Sequence, residues 1–265
     1  MRGQRARNVL TDPAFHHVLG MRVDATSYAD ATSRVLAWAR EGRSAYVCAA
    51  NVHMVMEGHD DPAFRAVVNA ADLVTPDGMP LVWSLRARGA AQARVYGPDL
   101  MLHVCEAAAR EGIAVGLYGG EPGVMEQLRD TLPRRFAGLR IAYAYAPPFR
   151  DLSPAEDDAV VRDIEASGTC ILFVALGCPK QERWMAAHRG RVHAAMLGVG
   201  AAFAFHAGRV RQAPAVLQRA GLEWLFRVAV EPRRLWKRAL RHNPRFAVLA
   251  ARELLGGRRT ERGRD

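Results

Sequence analysis

Asp77 stands in Thr75-Pro76-Asp77-Gly78-Met79-Pro80, after one proline, before a glycine and three residues ahead of a second proline. Those neighbours hold a carboxylate on a short, stiff loop, where it serves either as a turn residue or as a general base. Placement raises the second reading. An apolar run, 73–75, comes immediately before it, and α/β sheets present functional side chains just past the carboxyl ends of their strands. Three more segments share that position. Asn51-Val52-His53 offers an amide and an imidazole, and Leu117-Tyr118-Gly119-Gly120-Glu121-Pro122 sets a glycine pair where backbone N–H groups can approach a phosphate. Ala175-Leu176-Gly177-Cys178-Pro179-Lys180-Gln181-Glu182 runs into a helix start. Lys180 and Gln181 in that first turn suit a diphosphate and a sugar hydroxyl, or simply face solvent.

The glycine loop near residue 119 has the spacing G-x-x-G-G-x-x-G, and the segment 143–145 supplies no acid for a ribose. A mononucleotide therefore fits it better than NAD. The chain has no D-x-D, no H-x-x-x-H and no Cys/His cluster; Asp60-Asp61 and Asp157-Asp158 read as helix starts or surface. No metal and no cofactor are expected. A G-x-S-x-G elbow, a Walker A loop and a DNA-reading motif are also missing. The four cysteines form no C-x-x-C pair and read as reduced, mostly buried thiols of a cytoplasmic protein. His53 and His206 fall near candidate loops but read first as structural residues.

Positioning these loops requires strands, and the apolar runs 46–49, 73–75, 113–118, 139–145, 170–176 and 193–199 supply them. The runs are continuous rather than alternating, as expected where both faces of a sheet are buried. Between them, helix starts are marked by Asp61-Pro62, Pro98-Asp99, Glu121-Pro122 and the capping box Ser153-Pro154-Ala155-Glu156. The expected architecture is α/β: a mostly parallel, Rossmann-like sheet covered by helices, with a basic helical C-terminal appendage.

Charge divides the chain in the same place. Residues 209–265 hold 15 Arg and Lys against five Asp and Glu, a net of +10, which equals the formal charge of the whole. Residues 1–208 therefore read as a neutral α/β body, 209–255 as a phosphate- or membrane-seeking appendage, and 256–265 as a disordered end. Leu222, Leu225, Phe226 and Ala229 have helical spacing; Pro232 starts a second helix and Pro244 interrupts it. Arg234, Arg238 and Arg241 share a face of that helix, which either packs on its own domain or lies on a membrane. No apolar run is long enough to span a bilayer, and the N-terminus does not read as a secretory signal.

The ordered set N-x-H, T-P-D-G-M-P, R-V-Y-G-P-D (94–99), L-Y-G-G, A-P-P-F (146–149), V-A-L-G-C-P-K-Q-E and G-V-G-A-A-F-A-F-H-A-G (198–208) resembles the WecG/TagA/CpsF glycosyltransferase family. So do R-Q-A-P (211–214), G-L-E-W-L-F-R (221–227) and E-P-R-R-L-W-K-R (231–238), and the match covers roughly residues 15–250. The resemblance implies inverting, metal-independent transfer from a UDP-sugar to a polyprenyl-diphosphate-linked saccharide in cell-surface polysaccharide synthesis, at the cytoplasmic face of the membrane. It makes Asp77 the base, with Asn51 and Gln181 beside the reacting sugar. It makes Arg211, Arg227, Arg233, Arg234 and Arg238 contacts to the lipid diphosphate, while the strand-end loops offer Tyr118, Gly119, Gly120, Gly177, Pro179 and Lys180, with Arg94, as the expected nucleotide-sugar contacts. It also implies an anionic membrane surface as partner, no nucleic acid, and self-association as a homodimer. Two positions depart from the family pattern: Ala49 stands where Thr is frequent and Ala204 where Asp is frequent. Two rival readings remain open. G-V-G-A-A-F is a broken dinucleotide fingerprint of an NAD-dependent oxidoreductase, and the basic tail alone would suit a nucleic-acid-binding protein.

Overall fold

The computed structural model describes residues 11–262, with side chains for residues 11–256 other than Arg234. Its strands are β1 (Phe15–Val18), β2 (Met21–Asp24), β3 (Ala45–Ala50), β4 (Leu73–Pro76), β5 (Val115–Gly119), β6 (Ile141–Tyr145), β7 (Ile171–Ala175) and β8 (Ala195–Gly198). The helices of the body are α1 (Tyr28–Arg40), α2 (Val52–Asp60), α3 (Pro62–Asn69), α4 (Met79–Arg86), α5 (Gly97–Glu111), α6 (Pro122–Arg135), α7 (Pro154–Ser167), α8 (Lys180–Ala187) and α9 (Ala202–His206). The appendage follows as α10 (Ala215–Arg219), α11 (Glu223–Val230) and α12 (Pro232–Arg262).

The last six strands form one sheet in the order β4-β3-β8-β7-β5-β6, every pair parallel. Each expected strand is present, within a residue or two at its ends. Side chains alternate across the sheet, and both sides are apolar. Val47, Leu117, Phe173 and Leu197 meet α1, α5, α6 and α9 on one face; Tyr46, Val74, Val174 and Met196 meet α2, α3, α4, α7 and α8 on the other. Burying each such side chain contributes about 1.5–3 kcal/mol, and this double-sided demand makes the runs continuous. All six carboxyl ends fall on one edge of the sheet.

The marked helix starts are realised. Asp61 accepts from the N–H groups of Ala63 and Phe64, and Ser153 with Glu156 closes a reciprocal capping box. One element had no counterpart in the sequence reading. β1 and β2 pair antiparallel through Leu19-Gly20, both at positive φ (51° and 82°), the geometry of a two-residue hairpin turn. The hairpin braces β4: buried Asp24 accepts the Val74 N–H at 2.7 Å and pairs with Arg22 at 2.8 Å.

The second appendage helix differs from expectation in three ways. Pro244 does not interrupt it, because Leu235 and His242 before the proline and Phe246 and Ala250 after it are all buried on one face and hold both halves in line. It continues to Arg262, through much of the segment read as a disordered end, since an established helix gains a hydrogen bond with each added residue; residues 263–265 lie outside the described residues. Finally, Arg238 lines the cavities against the body together with His242, whereas Arg241 reaches Asp60 of α2 at 3.5 Å and Arg245 the same carboxylate at 2.7 Å, so Arg238 and Arg241 do not face the same way. Phe246 and Ala250 enter the same core as α2, and Glu253 pairs with Arg88 at 2.5 Å. The opposite face leaves Trp236, Leu240, Val248 and Leu255 exposed, alongside Leu222, Trp224 and Leu225 of the preceding segment. Among the described residues no helix is long and apolar enough to cross a membrane.

Candidate active site

Where β4 ends, Pro76 hands the chain to Asp77, and the pairing of β4 with β3 brings that carboxyl beside Asn51, the N-cap of α2. The Asn51 side chain divides its groups: Oδ1 accepts from Met54 N–H at 3.2 Å, and Nδ2 donates to Asp77 Oδ2 at 3.3 Å. Asp77 Oδ1 accepts from Gly97 N–H, the first residue of α5, at 2.8 Å. A Cβ at 97 would sit 3.1 Å from the Ala49 Cβ, a tight contact that favours glycine there. The Arg94 Nε donates to the Asp77 carbonyl, and its guanidinium pairs with Glu223 of α11. Glu223 also accepts from the Tyr96 hydroxyl at 2.9 Å. The appendage is thus tied through Arg94 to the loop that carries Asp77.

Asp77 is 9 % exposed. Burial lifts its carboxyl from 3.8 to about 6; Arg94 and the Gly97 and Asn51 hydrogen bonds pull it down, and the Glu223 charge pushes it up. A carboxyl in this range is ionised at neutral pH yet basic enough to take a proton, as general-base catalysis requires.

Asp77 and Asn51 line a cavity of about 130 Å³ at the sheet edge, with Gly177 and Gln181 from the β7 loop, Gly198 to Ala201 from the β8 loop, and Arg227 and Arg238 from the appendage. Gln181 braces two of these loops. Its Oε1 accepts from the N–H groups of Gly177 and Gly200 at 3.2 and 3.1 Å, and its Nε2 donates to Glu182 at 2.7 Å. One Nε2–H is left for a sugar hydroxyl. Glu182 is fully buried, which raises its carboxyl to about 7. The Gly200 N–H is committed to Gln181, so the G-V-G-A-A-F loop does not offer that donor to a pyrophosphate.

Other expected contacts stand apart. Tyr118 is buried beneath Trp184 and Tyr145, and β5 lies on the far side of β7 from β8 and β3. A Cβ on Gly119 would fall 2.6 Å from the Ala175 backbone, and the Gly120 N–H donates to the Ala175 carbonyl at 3.1 Å. That glycine pair serves close packing of β5 on β7, and neither residue lines the cavity. Lys180 points outward to Asp151 at 3.1 Å. Pro179, joined to Cys178 by a cis peptide, starts α8 outside the cavity. Arg211 and Arg233 are exposed, and the Arg234 side chain lies outside the described residues. The site therefore joins Asp77, Asn51, Gly177, Gln181, Arg227 and Arg238, with Arg94 behind Asp77.

A second, larger cavity of about 850 Å³ adjoins the first and shares Asn51, Asp77, Arg227 and Arg238 with it. Apolar groups from α4, α11 and α12 line it, among them Trp83, Leu222, Trp224, Leu235 and Phe246. Sequence reasoning missed three participants. Glu223 and Tyr96 lie within motifs quoted for the resemblance, but their contact spans more than a hundred residues. His242 meets His53 and Glu57 across the same gap between appendage and body. A family model described as Glycosyl transferase WecG/TagA/CpsF family matches residues 16–260.

Proposed function

The chain belongs to the WecG/TagA/CpsF glycosyltransferase family, and from that premise we propose that it moves a hexose or N-acetylhexosamine-type sugar from a UDP-sugar to a polyprenyl-diphosphate-linked saccharide. The reaction is a single displacement with inversion. Ionised Asp77 takes the proton of an acceptor hydroxyl as that oxygen attacks the anomeric carbon, and the bond to the UDP oxygen breaks on the opposite face. Arg227 and Arg238 meet the negative charge of the acceptor's lipid diphosphate beside the same cavity, a role that guanidinium groups fill by paired N–H donation. No divalent ion is assigned to this step.

One observation carries this reading: a buried carboxyl near pH 6 and two guanidinium groups from the appendage line a single cavity at the carboxyl edge of a parallel sheet. The polar cavity suits the transferred sugar. The adjoining apolar cavity suits the first prenyl units of the acceptor, whose diphosphate would then lie at the boundary beside Arg227 and Arg238. The exposed Leu222, Trp224, Leu225, Trp236 and Leu240, flanked by Arg219, Arg233 and Lys237, suit the inner face of an anionic membrane. Each surface-proximal cation adds about 1 kcal/mol to such attachment.

The test is a panel of UDP-sugars offered with a short polyprenyl-diphosphate saccharide, to wild type and to Asp77→Asn. One donor is expected to yield an inverted product with wild type, and Asp77→Asn to lose most turnover while still binding that donor. Equal turnover by the two proteins would remove Asp77 from the base role. Transfer from no UDP-sugar would remove the donor class.

A further inference from the structure

His53 and Glu57 sit four residues apart on α2 and so share one helix face. His242 of α12 comes down onto that face from a point 185 positions or more along the chain. The Nδ1 of His53 lies 3.7 Å from Glu57 Oε1, and the Nε2 of His242 lies 3.4 Å from the same oxygen. One ligand atom from each residue falls within 4.8 Å of the other two. Two imidazoles and a carboxylate converging this closely are a donor set for a borderline-soft divalent ion, with Zn²⁺ foremost. In a tetrahedral zinc site with bonds of about 2.0–2.1 Å, neighbouring ligand atoms stand roughly 3.4 Å apart.

Hydrogen bonding leaves the ion-facing nitrogen of His53 unused. The Nδ1 of His53, the atom that faces Glu57, is buried without a hydrogen-bond partner, and the His242 side chain that brings Nε2 to the same carboxylate is only 6 % exposed. Buried polar atoms left in this condition are uncommon and ask for an explanation. The His53 ring also bonds the Cys178 backbone, the kind of outer contact that fixes a ligating imidazole in one tautomer and orientation. Among the neighbouring charges, Arg238 and Arg241 oppose a cation; Arg241 is offset by Asp60 at 3.5 Å, which also holds Arg245. Glu57 supplies the negative charge at the site itself.

We propose that His53, Glu57 and His242 form a Zn²⁺-class divalent site that clips appendage helix α12 to helix α2 of the body. The fourth position opens to the cavity that His53 and His242 both line, where water completes the shell. The role is to hold the appendage in place. It does not depend on the transfer reaction, so its readouts are metal content and stability rather than turnover.

The experiment uses the untagged full chain, stripped with chelator, incubated with Zn²⁺ and desalted, with bound metal measured by elemental mass spectrometry. Wild type is expected to retain about one equivalent, and His242→Ala and Glu57→Gln each to retain less than a third of that. Zinc at about 100-fold over its Kd is expected to raise the wild-type Tm by roughly 5–10 °C and to leave both variants unmoved. Titrating wild type with Co²⁺ gives a reading independent of variant folding: four-coordinate, low-symmetry Co²⁺ bound here shows visible d–d absorption that Zn²⁺ displaces. Wild type retaining under a tenth of an equivalent, no zinc-displaceable absorption, or full retention in either variant would overturn the assignment.

Discussion

Lowering the pH from 7 to 5 reads Asp77 more directly than any substitution. Its carboxyl is held at about 6 instead of 3.8, chiefly by burial. A group at about 6 is ionised in roughly nine molecules in ten at pH 7 and in about one in ten at pH 5. At its ordinary value the same group would still be about 94 % ionised at pH 5. Since kcat/KM reports the free enzyme, a reaction that needs ionised Asp77 loses about tenfold between these two pH values, whereas an unperturbed carboxylate would lose almost nothing. The assay is initial-rate product formation at subsaturating donor and acceptor, in buffers of constant ionic strength, with far-UV circular dichroism at each pH to show that the fold persists. A flat profile from a folded protein would refute the argument, because either the carboxyl is not raised or its ionised form is not the base. Asp77→Asn, measured in the same series, is expected to lose about 10²- to 10⁴-fold and to show no acid limb near pH 6.

The same carboxyl has an opposite effect on stability: as pH rises from about 4 to 6 the unfolded chain releases the Asp77 proton while the folded chain keeps it, so the fold loses up to about 3 kcal/mol, and none below pH 4. Denaturant titration is therefore expected to find Asp77→Asn more stable than wild type at pH 7.5, with the gap closing at pH 4; a gap independent of pH would contradict the burial argument. Glu223→Gln removes a charge that raises the Asp77 carboxyl and leaves Arg94 unpaired, so the acid limb of kcat/KM is expected to move to lower pH, and an unmoved limb would show that Glu223 does not act on Asp77. Gly119→Ala puts a Cβ 2.6 Å from the Ala175 backbone at a φ of +110°; a loss of at least roughly 2 kcal/mol in urea unfolding is expected, and an unchanged midpoint would deny the close approach of β5 to β7. Replacing Trp224 and Trp236 by Ser is expected to weaken co-sedimentation with anionic vesicles, and preference of the wild-type protein for a labelled oligonucleotide over those vesicles would overturn the membrane reading.

The sheet was legible because its strands are buried on both faces, and Val47, Leu117, Phe173 and Leu197 could only be apolar in that setting. The β1–β2 hairpin was not, since each strand has only four residues and the turn is Leu19-Gly20 rather than an Asn-Gly or Asp-Gly pair. Asp77, Asn51 and Gln181 were legible from placement after strands, and the structure brings them to one cavity. The Gly119-Gly120 pair was read for phosphate by local form alone; strand order, which sequence spacing does not encode, puts β5 beyond β7. Helical spacing placed Arg238 with Arg241, but a proline-containing helix pinned by Leu235, His242 and Phe246 turns Arg238 inward. Contacts such as Glu223 with Tyr96 join residues 127 positions apart and leave no local periodic mark.

The tie from Glu223 through Arg94 to the Asp77 loop makes proton affinity a property of how the chain is assembled. With α11 seated, the Glu223 anion strengthens the base and partly offsets the Arg94 guanidinium that weakens it. In that reading, an arm swung clear would leave a wetter and weaker carboxylate, with no guanidinium from α11 or α12 to hold the acceptor's diphosphate. In the proposed reaction, donor held by such an undocked form would meet a poor proton acceptor, so seating of the arm would spare the activated sugar from futile attack by water.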